Sequence, residues 1–174
     1  MLGIPYSREY GGAVSDYLCY ILAIEELSKT CATSGVVLSA HTSLGTWPIA
    51  QFGTEEQKQR FLTDLCTGKK LAAFGLTEPN AGTDAAGQQT TAVLDGDEYV
   101  INGTKIFITN AGEADVYVIF AMTDKTKGTR GISAFILEKG TPGFTFGLHE
   151  KKLGIRGSAT CELIFNNVRI PKEN

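Results

Sequence analysis

The hydrophobic rhythm of this 174-residue chain changes once, near residue 70, from a helical period to short runs broken by turn signals. A chain patterned as helices first and strands afterwards folds as α+β rather than as alternating βαβ units. We therefore expect a helical domain over residues 1–70 and a β-domain over residues 71–174. The length suffices for one large domain or two small ones, with enough core to fold without staples.

In the first part, Leu18, Ile21, Leu22, Ile24 and Leu27 fit a 3.6-residue stripe over 16–29, with Asp16 or Ser15 as N-cap. Residues 32–52 are rich in Ala, Ser, Thr and Gly. They read as a closely packed helix ending near Gly45, then a turn through Trp47-Pro48. The third helix has the clearest signals. Thr54 and Gln57 form a capping box, Phe61, Leu62 and Leu65 make the stripe, and Gly68 stops it.

Strands are expected at 90–94, 98–101, 105–109, 116–122, 132–137, 144–148 and 161–165. Asp95-Gly96 and Asn102-Gly103 favour the positive φ angles of two-residue hairpins. Seven or eight antiparallel strands in about 100 residues point to a barrel or sandwich.

Composition excludes several functions. The net charge is −3 with scattered Lys and Arg, which argues against a nucleic-acid backbone as partner. No apolar run approaches the roughly 18 residues of a membrane span. Cys19, Cys31, Cys66 and Cys161 lack metal or redox spacing and read as free, mostly buried thiols in a reducing compartment. The signatures GxGxxG, GxxxxGK[ST], HExxH and GxSxG are missing. His41, in a small-residue apolar stretch, reads as a packed structural histidine, and Asn102-Gly103-Thr104 as turn chemistry rather than a glycan site. Met1 runs directly into Leu-Gly-Ile-Pro-Tyr with no targeting segment, so both termini read as cut points within a longer sequence.

Two strand exits carry the polar chemistry. The first is Phe74, Gly75, Leu76, Thr77, Glu78, Pro79, Asn80, Ala81, Gly82, Thr83 and Asp84, where Pro79 breaks the ladder. Exposed amides there, with the Thr83 hydroxyl, suit an anion nest for a pyrophosphate. The second runs from Lys105 to Gly112. Phe107 suits a planar ring, and Thr109 offers an amide and a hydroxyl to its edge. On residue chemistry alone, a plain strand-to-turn transition explains each segment slightly better than a ligand site does.

The motifs shift that balance. Residues 74–84, Phe-Gly-Leu-Thr-Glu-Pro-Asn-Ala-Gly-Thr-Asp, resemble the first signature of the acyl-CoA dehydrogenase family. Residues 101–112, Ile-Asn-Gly-Thr-Lys-Ile-Phe-Ile-Thr-Asn-Ala-Gly, resemble its second. A third block, Lys152-Leu-Gly-Ile-Arg-Gly-Ser-Ala-Thr-Cys-Glu162 with Val168-Arg-Ile-Pro171, and the opening Ile4-Pro-Tyr-Ser-Arg-Glu-Tyr-Gly-Gly12 resemble two more. The four ordered blocks span nearly the whole chain, and the short-chain, butyryl-CoA-type members are the most similar.

The resemblance implies an FAD-dependent α,β-dehydrogenase of short-chain acyl-CoA thioesters that passes electrons to an electron-transfer flavoprotein. It implies that Phe74 through Thr83 bind FAD, with Thr77 on the flavin ring and Thr83 contacting both cofactor and thioester substrate. Phe107, Ile108 and Thr109 would pack along the isoalloxazine, Thr109 near N5, with Phe107 standing where Trp is common. The family's catalytic Glu belongs to a C-terminal helical domain outside these residues, and part of its first helical domain is also absent. A homotetramer when full length, in a bacterial cytoplasm or a mitochondrial matrix, follows from the same likeness. The alternatives are a non-catalytic FAD- or acyl-CoA-binding fragment and an acyl-CoA oxidase-like relative.

Overall fold

The computed structural model describes every residue from Met1 to Asn174. Four α-helices, α1 (Tyr17–Thr30), α2 (Ala32–Ser39), α3 (Trp47–Phe52) and α4 (Glu55–Thr67), precede seven strands. The strands are β1 (Ala72–Gly75), β2 (Thr91–Asp95), β3 (Glu98–Thr109), β4 (Val116–Met122), β5 (Ile132–Glu138), β6 (Phe144–His149) and β7 (Thr160–Pro171). The fold is α+β, as the change of rhythm requires.

Local signals explain the helix ends. The Asp16 carboxylate accepts the Cys19 N–H at 2.8 Å and starts α1. In α4 both halves of the Thr54–Gln57 capping box form, and Gly68 closes the helix at φ 81°. Residues 32–52 depart from expectation, because no turn interrupts them. A π-helical segment, Ala40–Thr46, joins α2 to α3, and the Trp47 N–H reaches five residues back to Thr42 O. Pro48 then falls at the start of α3, where its fixed φ suits the first helical turn. The stripe of α1 also departs: Tyr17, Leu18, Ile21 and Leu22 are exposed, and only Tyr20 is buried.

The sheet is mixed rather than wholly antiparallel. β1 pairs with β4 in parallel, and β2 touches β4 through one parallel pair, Thr91 with Met122. The remaining pairs, β2–β3, β3–β7, β6–β7 and β4–β5, are antiparallel. The curled result is a half-barrel. The parallel pair arises because the chain leaves β1, builds the β2–β3 hairpin elsewhere, and returns along β4 in the same direction.

Asn102-Gly103 makes no hairpin. β3 runs through it, and a bulge against β7 absorbs the extra residue. Gly103 has φ 147°, and a Cβ there would lie 2.4 Å from the Thr90 hydroxyl, so the glycine permits a close crossing instead of a turn. Gly96, at φ 66°, does serve the β2–β3 turn.

β4 is buried on both faces, which accounts for its unbroken apolar run. Val116 and Val118 meet Phe61, Leu62 and Leu65 of α4, while Tyr117, Ile119 and Ala121 join the opposite cluster with Ile101, Leu137 and Leu163. Of the cysteines, Cys66 and Cys161 are buried, but Cys19 and Cys31 are exposed because they lie on the uncovered α1–α2 layer.

His41 is the structural residue that its surroundings imply. It is fully buried, its Nδ1 accepts the Ala72 N–H at 2.9 Å, and its Nε2 faces Leu65 O at 3.1 Å. One ring thereby ties the π segment, β1 and α4 together. Burial lowers its pKa to about 4, against the upward pull of the Leu65 carbonyl. The unfolded chain therefore takes up this proton first, and stability is lost as pH falls from about 6.5 to 4. Urea midpoints measured at pH 7, 5.5 and 4.5 should fall across that window, and a His41→Gln variant should lack that part of the slope.

Candidate functional site

The two strand exits meet. Phe74, Leu76 and Thr77 from the first and Phe107, Ile108 and Thr109 from the second line one groove of about 240 Å³. Ala40 and Leu44 of the π segment form its remaining wall. These two wall residues were not singled out from the sequence; the run of small residues at 39–46 was the available signal.

Phe107 reaches the groove by a backbone device. The β3–β7 register slips between Lys105 and Ile108, and Phe107 takes φ 60° within the slip. A bulky residue seldom adopts this left-handed conformation, and here it turns the ring out of the sheet, leaving it 58% exposed. Phe74 on the facing exit packs against Phe120, with ring centroids 5.1 Å apart.

The remaining positions of the first segment lie elsewhere. Gly75 and Ala81 are buried, and Pro79, Asn80, Gly82 and Thr83 form an exposed tip that does not line the groove. The amides of Leu76, Thr77, Gly82 and Thr83 find no acceptor in the backbone network. Free donors therefore stand both in the groove and along the tip, the arrangement an anion or a polar ring edge recognises.

The side chain of Glu78 points inward instead. Its carboxylate, 4% exposed, accepts from the backbone amides of Gln89 and Thr90 and from Lys105 Nζ at 2.8 Å. Lys105 is fully buried, and its other protons go to Leu76 O and Gln88 Oε1, each at 3.0 Å. Burial pushes the Glu78 carboxyl up, but Lys105 together with the Thr90 and Gln89 bonds outweighs this and holds it below the usual carboxylate range. Burial lowers the Lys105 pKa in turn, and Glu78 opposes that shift. The two remain a charged pair at neutral pH. The sequence places Glu78 among the ligand-binding positions, yet its carboxylate is spent on Lys105 and two amides, and its backbone N–H and C=O are paired with Ala81. Lys105 has no role in that reading.

Geometry limits what the groove can hold. Its volume falls below the roughly 300 Å³ at which whole drug-sized ligands are usually enclosed. It suits one flat ring, since aromatic and aliphatic side chains share its walls with Thr77 and Thr109. His149 stands at the end of β6 beside Gly112, and no cluster of metal-ligating side chains occurs in the chain.

Residues 1–69 match the family description "Acyl-CoA dehydrogenase, N-terminal domain", and residues 73–168 match "Acyl-CoA dehydrogenase, middle domain". The chain is 65% identical over its full length to a short-chain specific acyl-CoA dehydrogenase of Clostridium acetobutylicum, covering 46% of that protein. It superposes on 46% of the butyryl-CoA dehydrogenase structure from Megasphaera elsdenii, with TM-score 0.97, 58% identity and 99% of this chain covered. A structure described under the electron transferring flavoprotein of Acidaminococcus fermentans and flavin-based electron bifurcation gives TM-score 0.98 at 61% identity, covering 99% of this chain and 46% of that one. An FAD-complexed acyl-CoA dehydrogenase from Bacillus anthracis gives 0.92 at 43% identity, covering 99% and 30%. The chain thus spans about half the length of the curated relatives it matches.

Proposed function

The chain belongs to the acyl-CoA dehydrogenase family, and on that premise we propose that its groove is the flavin-ring half of an FAD site in a short-chain acyl-CoA dehydrogenase. The observation that carries this reading is the convergence of both strand exits on one ring-sized groove lined by Thr77, whose amide has no backbone acceptor. The donor set fits the cofactor: two aromatic side chains and an aliphatic wall for a flat ring, and an amide-rich exposed tip at 82–83 for a phosphate.

Bound FAD supplies the two-electron acceptor for oxidation of the thioester's α,β carbon–carbon bond. The chain's own residues orient and shield. Phe107 covers one side of the groove, and Ala40, Leu44, Leu76 and Ile108 exclude water from it. Thr77 and Thr109 present hydrogen-bonding groups to the ring edge, and Thr83 stands at the tip, for cofactor and thioester. Glu78 cannot remove the substrate α-proton, because its carboxylate is buried and saturated by Lys105 and two amides. The base belongs to another part of the full-length protein.

Electrons would pass to an electron-transfer flavoprotein, and the assembled enzyme would be a homotetramer in a bacterial cytoplasm or a mitochondrial matrix. No helix is long and apolar enough to cross a membrane. The full-length product of the reading frame should purify yellow, and anaerobic butyryl-CoA should bleach its flavin band, with turnover to a dye acceptor. A flavin-free product, or one whose flavin no acyl-CoA bleaches, defeats the reading.

A further inference from the structure

Strand β1 ends at Gly75, so the Leu76 carbonyl has no neighbouring strand to pair with. Its donor is the Lys105 ammonium, at 3.0 Å, reaching across from β3. The next carbonyl, that of Thr77, is taken by the Ile106 N–H at 2.9 Å. Two consecutive residues of β3 therefore hold two consecutive peptides of the exit. The remaining Lys105 protons are held by Glu78 and Gln88, so the ammonium has no freedom to turn.

From this arrangement we propose that Lys105 is a positioning residue, which fixes the Leu76–Thr77 peptide plane so that the Thr77 N–H faces the flavin. The proposal rests on the reading of the groove as a flavin site. A trans peptide is planar, with its C=O and N–H pointing opposite ways. Anchoring the Leu76 oxygen inward on Lys105 thus sends the Thr77 N–H outward, to the side where Thr77 lines the groove and where it finds no protein acceptor. Without the ammonium the Leu76 oxygen is left in the interior without a donor, an unfavourable state that rotation of the plane relieves. That rotation brings a carbonyl oxygen to the groove edge in place of a donor.

Stability and positioning can be separated. Lys105→Met alone strands the Glu78 charge in the interior. The double variant Lys105→Met/Glu78→Gln removes that charge and keeps an amide oxygen for one of the Gln89 and Thr90 N–H groups, which bond different oxygens of the carboxylate, while Leu76 still lacks its donor. Wild type and both variants are compared as full-length products. The double variant should regain part of the thermal midpoint lost by Lys105→Met, because the stranded charge is gone although one amide keeps no acceptor. It should nevertheless bind FAD at least tenfold more weakly than wild type, with a shifted visible flavin spectrum. In flavin-free protein, amide hydrogen exchange across residues 76–90 should be at least tenfold faster than in wild type. A double variant whose FAD affinity, flavin spectrum and exchange match wild type overturns the role of Lys105 and leaves the flavin reading standing. Recovery of affinity in step with stability overturns it likewise. A wild type that takes up no FAD overturns the flavin reading itself.

Discussion

Glu78→Ala should lower stability by about 3–5 kcal/mol, the range for removing one member of a buried ion pair. The cost does not come from losing an attraction. Truncation leaves the Lys105 ammonium in the interior with two neutral acceptors and no counter-charge, and it frees the Gln89 and Thr90 amides at the same time. Against a usual total of about 5–15 kcal/mol, that is a large share of the fold's margin. Removing Glu26, whose bond to Lys29 is just as short but lies on the exposed face of α1, should change the thermal midpoint little. The pair also has an acid signature. Because Glu78 is held below the usual carboxylate range, its stabilising effect is complete above the unfolded value and disappears as pH falls through the lowered one. The difference in thermal midpoint between wild type and Glu78→Ala should therefore narrow as pH falls from about 7 into acid. A gap that is small at pH 7, or that widens in acid, would show that the pair does not behave as described.

The inward turn of Glu78 also marks the limit of what the residues alone disclose. Short-range chemistry is legible: Thr54 and Gln57 three residues apart, Gly68 after the last apolar position of α4, and Gly96 in the β2–β3 turn all act through neighbours in sequence. The groove's two main walls were legible for a different reason, since each is a contiguous segment that resembles a family signature. What escaped depends on distant partners. Phenylalanine has no preference for positive φ, so the bulge at Phe107 is set by its register with β7 and not by its own propensity. Asn102-Gly103 is good hairpin chemistry overruled by the twelve-residue β7 lying alongside. Parallel pairing of β1 with β4 depends on a crossover of some forty residues, which no local pattern encodes. The apolar stripe of α1 is legible, but its outward direction is not, because periodicity reports an apolar face and not what covers it.

The third wall of the groove leads to the other large effect. Gly45 sits where the π segment crosses β1, and a Cβ there would lie 2.5 Å from Ala72 Cβ, 2.9 Å from its carbonyl carbon and 3.0 Å from Ala73 N. Two of these three atoms are backbone of a strand already paired to β4, so they cannot retreat as a flexible side chain would. Gly45→Val should therefore exceed the roughly 1–3 kcal/mol usual for overpacking. The displacement has a direction. If β1 holds, the π segment must lift, which stretches the Ala72 N–H···His41 bond and carries Ala40 and Leu44 away from Phe74 and Thr77. Any surviving full-length Gly45→Val protein should accordingly lose flavin more readily than its residual stability explains. Gly82→Ala is the control for stability, since no atom lies within 4 Å of the added methyl, and its thermal midpoint should stay close to wild type. Equal stability losses for the two substitutions would mean that the π segment and β1 are not packed as tightly as these distances require.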